Sequence, residues 1–200
     1  AEIAAEKAGI IKPGVSVVSG VVQEAAAAVI KRKALEHGST YYARDDAFAL
    51  DSWRCTVGHA GLSQRNRIYW RGQLSDIITP LAGPHQGDNA AVAWATLNVL
   101  SGRLKFSLDK ACIGMEKAEC PARLQVLTDG TLLDAAHNPD GAAALAAALE
   151  SIYPDRKWSI LFAVLDDKDW QGMLQHLLPL CRRLICVATA SARSVPADVL

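Results

Sequence analysis

An α/β fold with a mostly parallel sheet in its C-terminal part is what the sequence predicts. Two observations carry this: β-branched and aromatic runs alternate with helical patterns beyond residue 120, and Gly and Pro punctuate them. The 200 residues are 50% hydrophobic and 6% aromatic, enough apolar content for a real core. Lys+Arg 21 balance Asp+Glu 21, and the longest cationic run is Lys31-Arg32-Lys33, which argues against a nucleic-acid partner because phosphate neutralisation needs clustered cations. No stretch reaches the roughly 20 apolar residues of a membrane span, and Ala1–Gly20 has no basic segment leading into a leucine-rich one. A cytoplasmic chain without a membrane partner is expected. Five cysteines without a C-x-x-C pair read as reduced thiols.

In chain order, Ala1 to Lys7 is helical in composition, and Gly9 with Pro13-Gly14 stops it. Val15 to Ser19 is a β-branched run that reads as a buried strand. Gln23 to Glu36 is a helix with Ala28, Ile30, Ala34 and Leu35 as a partial apolar stripe, closed by Gly38. Tyr41-Tyr42, Trp53 to Val57 and Arg67 to Arg71 predict a small strand group, its turns at Asp45-Asp46, Gly58 to Gly61 and Gly72. Leu81 to Asp88 reads as a loop, and Asn89 to Leu100 as a buried helix closed by Ser101-Gly102. A short helix is expected over Asp109 to Lys117. Strand-like Arg123 to Leu127 and Thr131 to Asp134 follow, then a helix over Gly141 to Ile152 and a strand over Trp158 to Leu165. A helix over Met173 to Leu180, broken near Pro179, and a strand over Arg183 to Ala188 complete the alternation. Val195 to Leu200 looks like a helix just starting. With no initiator Met at Ala1, both ends suggest a piece of a longer protein.

Four clusters have residue types suited to chemistry. Lys7, beside small residues at a helix end, is a candidate for a partly desolvated amine; the alternative is a solvated pair with Glu6. Gly83-Pro84-His85-Gln86-Gly87-Asp88-Asn89 would open a helix toward an anion, and the Asn89 amide offers the donor and acceptor that an adenine edge needs. Alternatively Asp88 or Asn89 caps that helix. Asp134-Ala135-Ala136-His137-Asn138-Pro139 places polar side chains at the carboxyl edge of a sheet, where Asp134 suits ribose hydroxyls and His137 a phosphate. Arg123 would add a delocalised cation at the same edge, while an ordinary turn with a capped helix remains the competing reading. Asp166-Asp167-Lys168-Asp169 reads either as paired carboxylates for a metal or as a solvated cap. His37, His59 and His176 have no spaced partner.

Taken together, Ile3-Ala4-Ala5-Glu6-Lys7-Ala8-Gly9-Ile10-Ile11-Lys12-Pro13-Gly14, His85-Gln86-Gly87-Asp88-Asn89-Ala90 and Asp134-Ala135-Ala136-His137-Asn138-Pro139 resemble the folylpolyglutamate and dihydrofolate synthases of the Mur ligase superfamily. The resemblance implies the C-terminal portion of a central ATPase domain over 1–119. A Rossmann-like Mur-ligase C-terminal domain, itself incomplete, is implied over 120–200. It implies an ATP-dependent ligase that adds L-glutamate to folate or dihydropteroate as a monomer, with ATP and Mg2+ required. By the same resemblance Lys7 is the carbamylated lysine near the magnesium, Asn89 contacts adenine, Arg123 and Asp134 bind ATP, and His137 lines the cleft. Another Mur-type amino-acid ligase, or a non-catalytic binding module, are the competing identities. The family's phosphate loop, G-x-x-x-x-G-K-[ST], is not among these residues and is expected upstream, with the glutamate and histidine magnesium ligands. The chain also has Ala135 and Ala122 where the resemblance predicts glycine, which questions the backbone freedom of both turns.

Overall fold

The computed structural model describes residues 2–58 and 61–200; Ala1 and the middle of the turn expected between Gly58 and Gly61 lie outside them. The chain divides into two compact units. One holds the residues up to Arg54 with Ser63–Pro80 and His85–Glu119, the other Cys55–Leu62, Leu81–Pro84 and Cys120–Leu200.

In the first unit, α1 (Glu2–Ala8), β1 (Val17–Ser19), α2 (Glu24–Glu36) and β2 (Tyr41–Ala43) follow the predicted order. β1 and β2 pair in parallel, with Val18 opposite Tyr42. Gly38, at φ +60°, terminates α2 as predicted, its N–H donating to the Leu35 carbonyl at 3.0 Å. Tyr41 and Tyr42 therefore do not belong to the strand group that follows. That group is β3 (Phe48–Gly58), β4 (Gly61–Trp70) and β5 (Gln73–Thr79), one sheet in that order, with strands much longer than their aromatic runs. The antiparallel β4–β5 pair closes at Trp70 and Gln73 through Arg71 and Gly72, both left-handed at φ 43° and 93°.

Helices α3 (Pro84–Leu104), from His85 onward, and α4 (Leu108–Glu116) complete this unit, while the end of β3 from Cys55 and the start of β4 up to Leu62 group with the second. The expected loop over Leu81 to Asp88 is mostly helix: α3 begins at Pro84, whose missing N–H costs nothing in a first turn. Asp88 and Asn89 consequently do not cap it. Nor does Ser101-Gly102 end it; the chain turns at Lys105, φ 52°. Ala90, Ala91, Trp94 and Ala95 form the buried face of α3 and pack with Phe48, Ile68, Ile77 and Met115 into one core.

In the second unit β6 (Gln125–Val126) and β7 (Leu132–Leu133) form a short antiparallel hairpin. α5 (Pro139–Ile152), β8 (Trp158–Phe162), α6 (Trp170–Leu177), a 3₁₀ turn over Leu178–Leu180 and β9 (Cys181–Cys186) follow. Parallel pairing in this unit is therefore confined, among the described residues, to β8 and β9. The strand-like segments around 123–134 turn back on each other because Asp129-Gly130 reverses the chain, with Gly130 at φ 82°. α5 is capped by Asn138 Oδ1, which accepts the Gly141 N–H at 2.7 Å, and α6 by Asp169 Oδ1, which accepts the Gly172 N–H at 2.9 Å. Two clusters bury apolar side chains here, one around Leu124, Ala148 and Leu149, the other around Phe162, Met173, Leu177 and Val195. The last residues are not a helix. Val195 is instead held to Val164, its N–H donating at 3.0 Å, and turn residues follow.

Candidate active site

The predicted site residues fall into two groups, Lys7 and Asn89 in the first unit and Arg123, Asp134 and His137 in the second. Asn89 sits in the second turn of α3 with its side chain exposed, and its Nδ2 donates to Gln86 Oε1, one turn earlier, at 3.2 Å. Gln86 is 6% exposed. Between them Gly87 is packed so closely that a Cβ would lie 2.7 Å from Leu50 Cδ2, 3.1 Å from Asn66 Oδ1 and 3.3 Å from Gln64 Nε2. This explains a glycine inside a helix, where it is otherwise unfavourable. Asp88 is held by Arg44, Nη2 to Oδ1 at 2.8 Å, tying the start of α3 to the residue after β2.

Beneath that first turn is a buried polar network that the sequence reading missed. β4 alternates strictly, with Leu62, Gln64, Asn66 and Ile68 inward. Gln64 and Asn66 are fully buried: Gln64 Nε2 donates to Asn66 Oδ1 at 2.7 Å, and Asn66 Nδ2 donates to Thr79 Oγ1 at 3.2 Å and the Ile77 carbonyl at 3.3 Å. The available signal was the period-two spacing Leu62, Gln64, Asn66, Ile68, hidden because half of the inward positions are amides.

Lys7 differs from the crowded, desolvated amine expected. Its side chain is 72% exposed and stands 3.5 Å from Glu6 Oε1, an arrangement worth little on its own. α1 is too short to bury it. Lys7 nevertheless lines a groove of about 770 Å3 with Ile3, Val21, Ala26 and Ile30.

In the second unit the Arg123 and Asp134 segments are knitted together. Asp134 uses both carboxylate oxygens on backbone, accepting the Leu124 N–H at 2.8 Å and the Ala136 N–H at 2.9 Å, while the Ala135 N–H donates to the Ala122 carbonyl at 2.9 Å. Arg123 is exposed and lies between two left-handed residues, Ala122 at φ 58° and Leu124 at φ 48°. Ala122 is thus one of the alanines where glycine was expected, and its backbone does adopt the conformation that glycine favours. Ala135 shows no such φ. Ala122→Gly is expected to stabilise the protein by about 0.5–1 kcal/mol, read from denaturant unfolding; a loss would mean that the unfolded-state entropy of glycine outweighs the relieved strain. His137 is exposed, and its Nδ1 pairs with the Ala135 carbonyl at 3.0 Å, which leaves Nε2 pointing away from that bond.

The Asp166 to Asp169 turn is a cap and an ion-pair cluster. Asp167 meets Lys168 Nζ at 2.9 Å and Arg193 Nη2 at 2.7 Å. The Lys168 hydrogen bond, followed by the Arg193 interactions, holds the Asp167 carboxyl below the usual carboxylate range. This tie is in place above the ordinary carboxylate pKa and is lost as pH falls through the lowered one. Among the described residues no three His, Cys, Asp or Glu side chains converge as a metal site would need. The donors among the described residues therefore do not make a magnesium site by themselves. No described helix is long and apolar enough to cross a membrane.

Residues 122–200 match the Mur ligase, glutamate ligase domain. Over 180 residues the chain is 34% identical to the folylpolyglutamate synthase of Lacticaseibacillus casei, covering 88% of this chain and 41% of that one. It is 31% identical to the dihydrofolate synthase/folylpolyglutamate synthase of Bacillus subtilis over the same shares. The structure of Mycobacterium tuberculosis folylpolyglutamate synthase complexed with ADP and AMPPCP superimposes with a TM-score of 0.83 at 30% identity, over 99% of this chain and 45% of that one. The chain thus spans less than half the length of these proteins. The chain is similar along nearly its whole length to folylpolyglutamate and dihydrofolate synthases, and its residues 122–200 match the Mur ligase, glutamate ligase domain.

Proposed function

We propose that the protein to which this chain belongs is an ATP-dependent ligase that joins L-glutamate to a folate, and that it also accepts dihydropteroate. The observation that carries this reading is the superposition on a nucleotide-bound synthase over 99% of the chain. A carboxylate and an amine do not condense unaided in water. The folate's terminal carboxylate attacks the γ-phosphorus of ATP and ADP leaves; the glutamate amine then attacks the acyl carbon, phosphate leaves and a proton is released. Residues 1–119 are read as the back of the central ATPase domain and residues 120–200 as the front of the C-terminal domain.

In this reading Asn89 holds the adenine edge from the start of α3. Arg123, exposed and held between fixed backbone turns, meets the phosphates with little backbone ordering left to do. Asp134 builds the turn that carries Arg123, and its remaining lone pairs can accept a ribose hydroxyl. His137 offers Nε2 to the transferring phosphate or the acyl phosphate. Lys7, once carbamylated, would offer an oxygen donor to Mg2+, the other ligands coming from outside these residues. The exposure of Lys7 in its groove leaves it accessible to carbon dioxide.

The test uses protein made from the complete coding sequence. Folate, ATP and L-glutamate together should yield ADP, phosphate and a folate heavier by one glutamyl residue; absence of product with folate and dihydropteroate alike refutes the proposal. Lys7→Ala should lower kcat about a hundredfold or more while shifting the ATP Kd less than threefold, in line with a charge acting at the reacting centre. An unchanged kcat removes the carbamate role.

A further inference from the structure

We infer that Arg44 is a positioning residue for the nucleotide, its ion pair with Asp88 fixing where Asn89 stands relative to the carboxyl edge of the β1–β2 pair. The inference rests on Asn89 meeting the adenine, as proposed above. β1 and β2 run in parallel and end at Ser19 and Ala43, and ligands of parallel sheets bind beyond such edges. Arg44 is the first residue past that edge. Its N–H donates to the Ser19 carbonyl at 3.0 Å, and the turn after it is closed by the Asp45 N–H on the Phe48 carbonyl at 2.7 Å. Phe48 has no exposed surface and belongs to the unit's core. The backbone of Arg44 is thus fastened to the sheet on one side and to the core on the other.

From that anchored backbone the side chain reaches α3. Nη2 donates to Asp88 Oδ1 at 2.8 Å, with the Arg44 side chain 24% and that of Asp88 33% exposed; the more exposed Asp45 lies farther off, 3.7 Å from Nε. A guanidinium only donates and a carboxylate only accepts, so the contact has a single sense, and its charge makes it stronger than a neutral hydrogen bond. Packing holds α3 by Gly87, Ala90, Ala91 and Trp94 and leaves Asn89, the residue after Asp88, exposed. Apolar contact is non-directional, so the placement of this polar edge falls to the Arg44–Asp88 pair.

ATP is titrated calorimetrically into the protein of complete coding sequence, with steady-state rates measured alongside. Arg44→Met, which keeps the apolar stem without the charge, should raise the Kd and KM for ATP about three- to tenfold and leave kcat within about twofold, the pattern of lost binding rather than lost chemistry. Arg44→Lys retains a cation for Asp88 and should stay within about twofold of the parent. Asp88→Ala should match Arg44→Met, and the double variant should bind no more weakly than either, because both remove one interaction. In an Asn89→Ala background Arg44→Met should change the ATP Kd less than about twofold. If Arg44→Met fails to fold, Asp88→Ala carries the same comparison from the helix side. An unchanged Kd in folded Arg44→Met or Asp88→Ala, a loss in Arg44→Lys equal to that in Arg44→Met, losses that multiply in the double variant, or an equal loss with and without Asn89 overturns the positioning role while leaving the adenine contact standing. If Asn89→Ala itself binds ATP as tightly as the parent, the contact is wrong and the inference falls with it.

Discussion

Asn66→Ala is expected to destabilise the protein by about 3–5 kcal/mol, the largest effect of any single polar substitution in the first unit. Asn66 has no exposed surface; its amide donates to Thr79 and to the Ile77 carbonyl and accepts from Gln64. Alanine opens a cavity and strips partners from groups with no water to replace them. Against a typical total stability of about 5–15 kcal/mol, the loss removes a large share. Asn66→Leu should be no rescue, since filling the volume does not return the acceptor to Gln64. Because Gln64 and Asn66 form the floor under Gly87, weaker ATP binding should accompany the lost stability in any variant that still folds. Denaturant unfolding checks the first part; a loss below about 1 kcal/mol would mean that the network carries little of the fold.

Asp134→Ala should raise the KM for ATP about tenfold or more and also lower stability by about 2–3 kcal/mol. Both consequences follow from one carboxylate, since it anchors the Leu124 and Ala136 amides and thereby the turn carrying Arg123. Arg123→Ala separates the two. It should reproduce the rise in KM with stability nearly intact, because the Arg123 side chain is exposed and the backbone turn remains. Asp134→Asn keeps one acceptor oxygen and should fall between. Steady-state kinetics with ATP and with glutamate varied in turn decide the matter: a change confined to the glutamate KM contradicts the assignment.

The order of helices and strands was legible from composition because each predicted element contains its own signal. α2 ends at Gly38, where local chemistry alone fixes the backbone, whereas α5 begins at Pro139 behind an Asn138 cap, two residues before the expected Gly141. Misreadings arise where distant residues decide. Pro84 and Gly87 look like loop residues, yet one suits a first helical turn and the other is required by the closeness of Leu50. β3 and β4 run well past their aromatic cores, since pairing along the sheet extends them through polar positions. The same holds for the site. Lys7, Asn89, Arg123, Asp134 and His137 stand out as residue types in suggestive surroundings, but their supports do not. Gln86 and Arg44 are ordinary in sequence and gain their meaning only through a partner brought to them by the fold. The exposure of Lys7 was equally unreadable, because a row of small neighbours says nothing about what covers them.

Helix α3 has Asn89 near one end and, within two further turns, Trp94 and Ala95 in the centre of the first unit's core. On the proposal that Asn89 holds the nucleotide, the ligand binds an element that exists only when that core is assembled. Occupancy and folding then become linked by mass action: nucleotide at a hundred times its Kd adds about 2.7 kcal/mol to the native state. The thermal midpoint of the protein becomes a reporter of nucleotide concentration. Variants weakened in the core should show apparent nucleotide affinities that fall with temperature faster than their intact parent's, although none of the altered atoms touches the ligand.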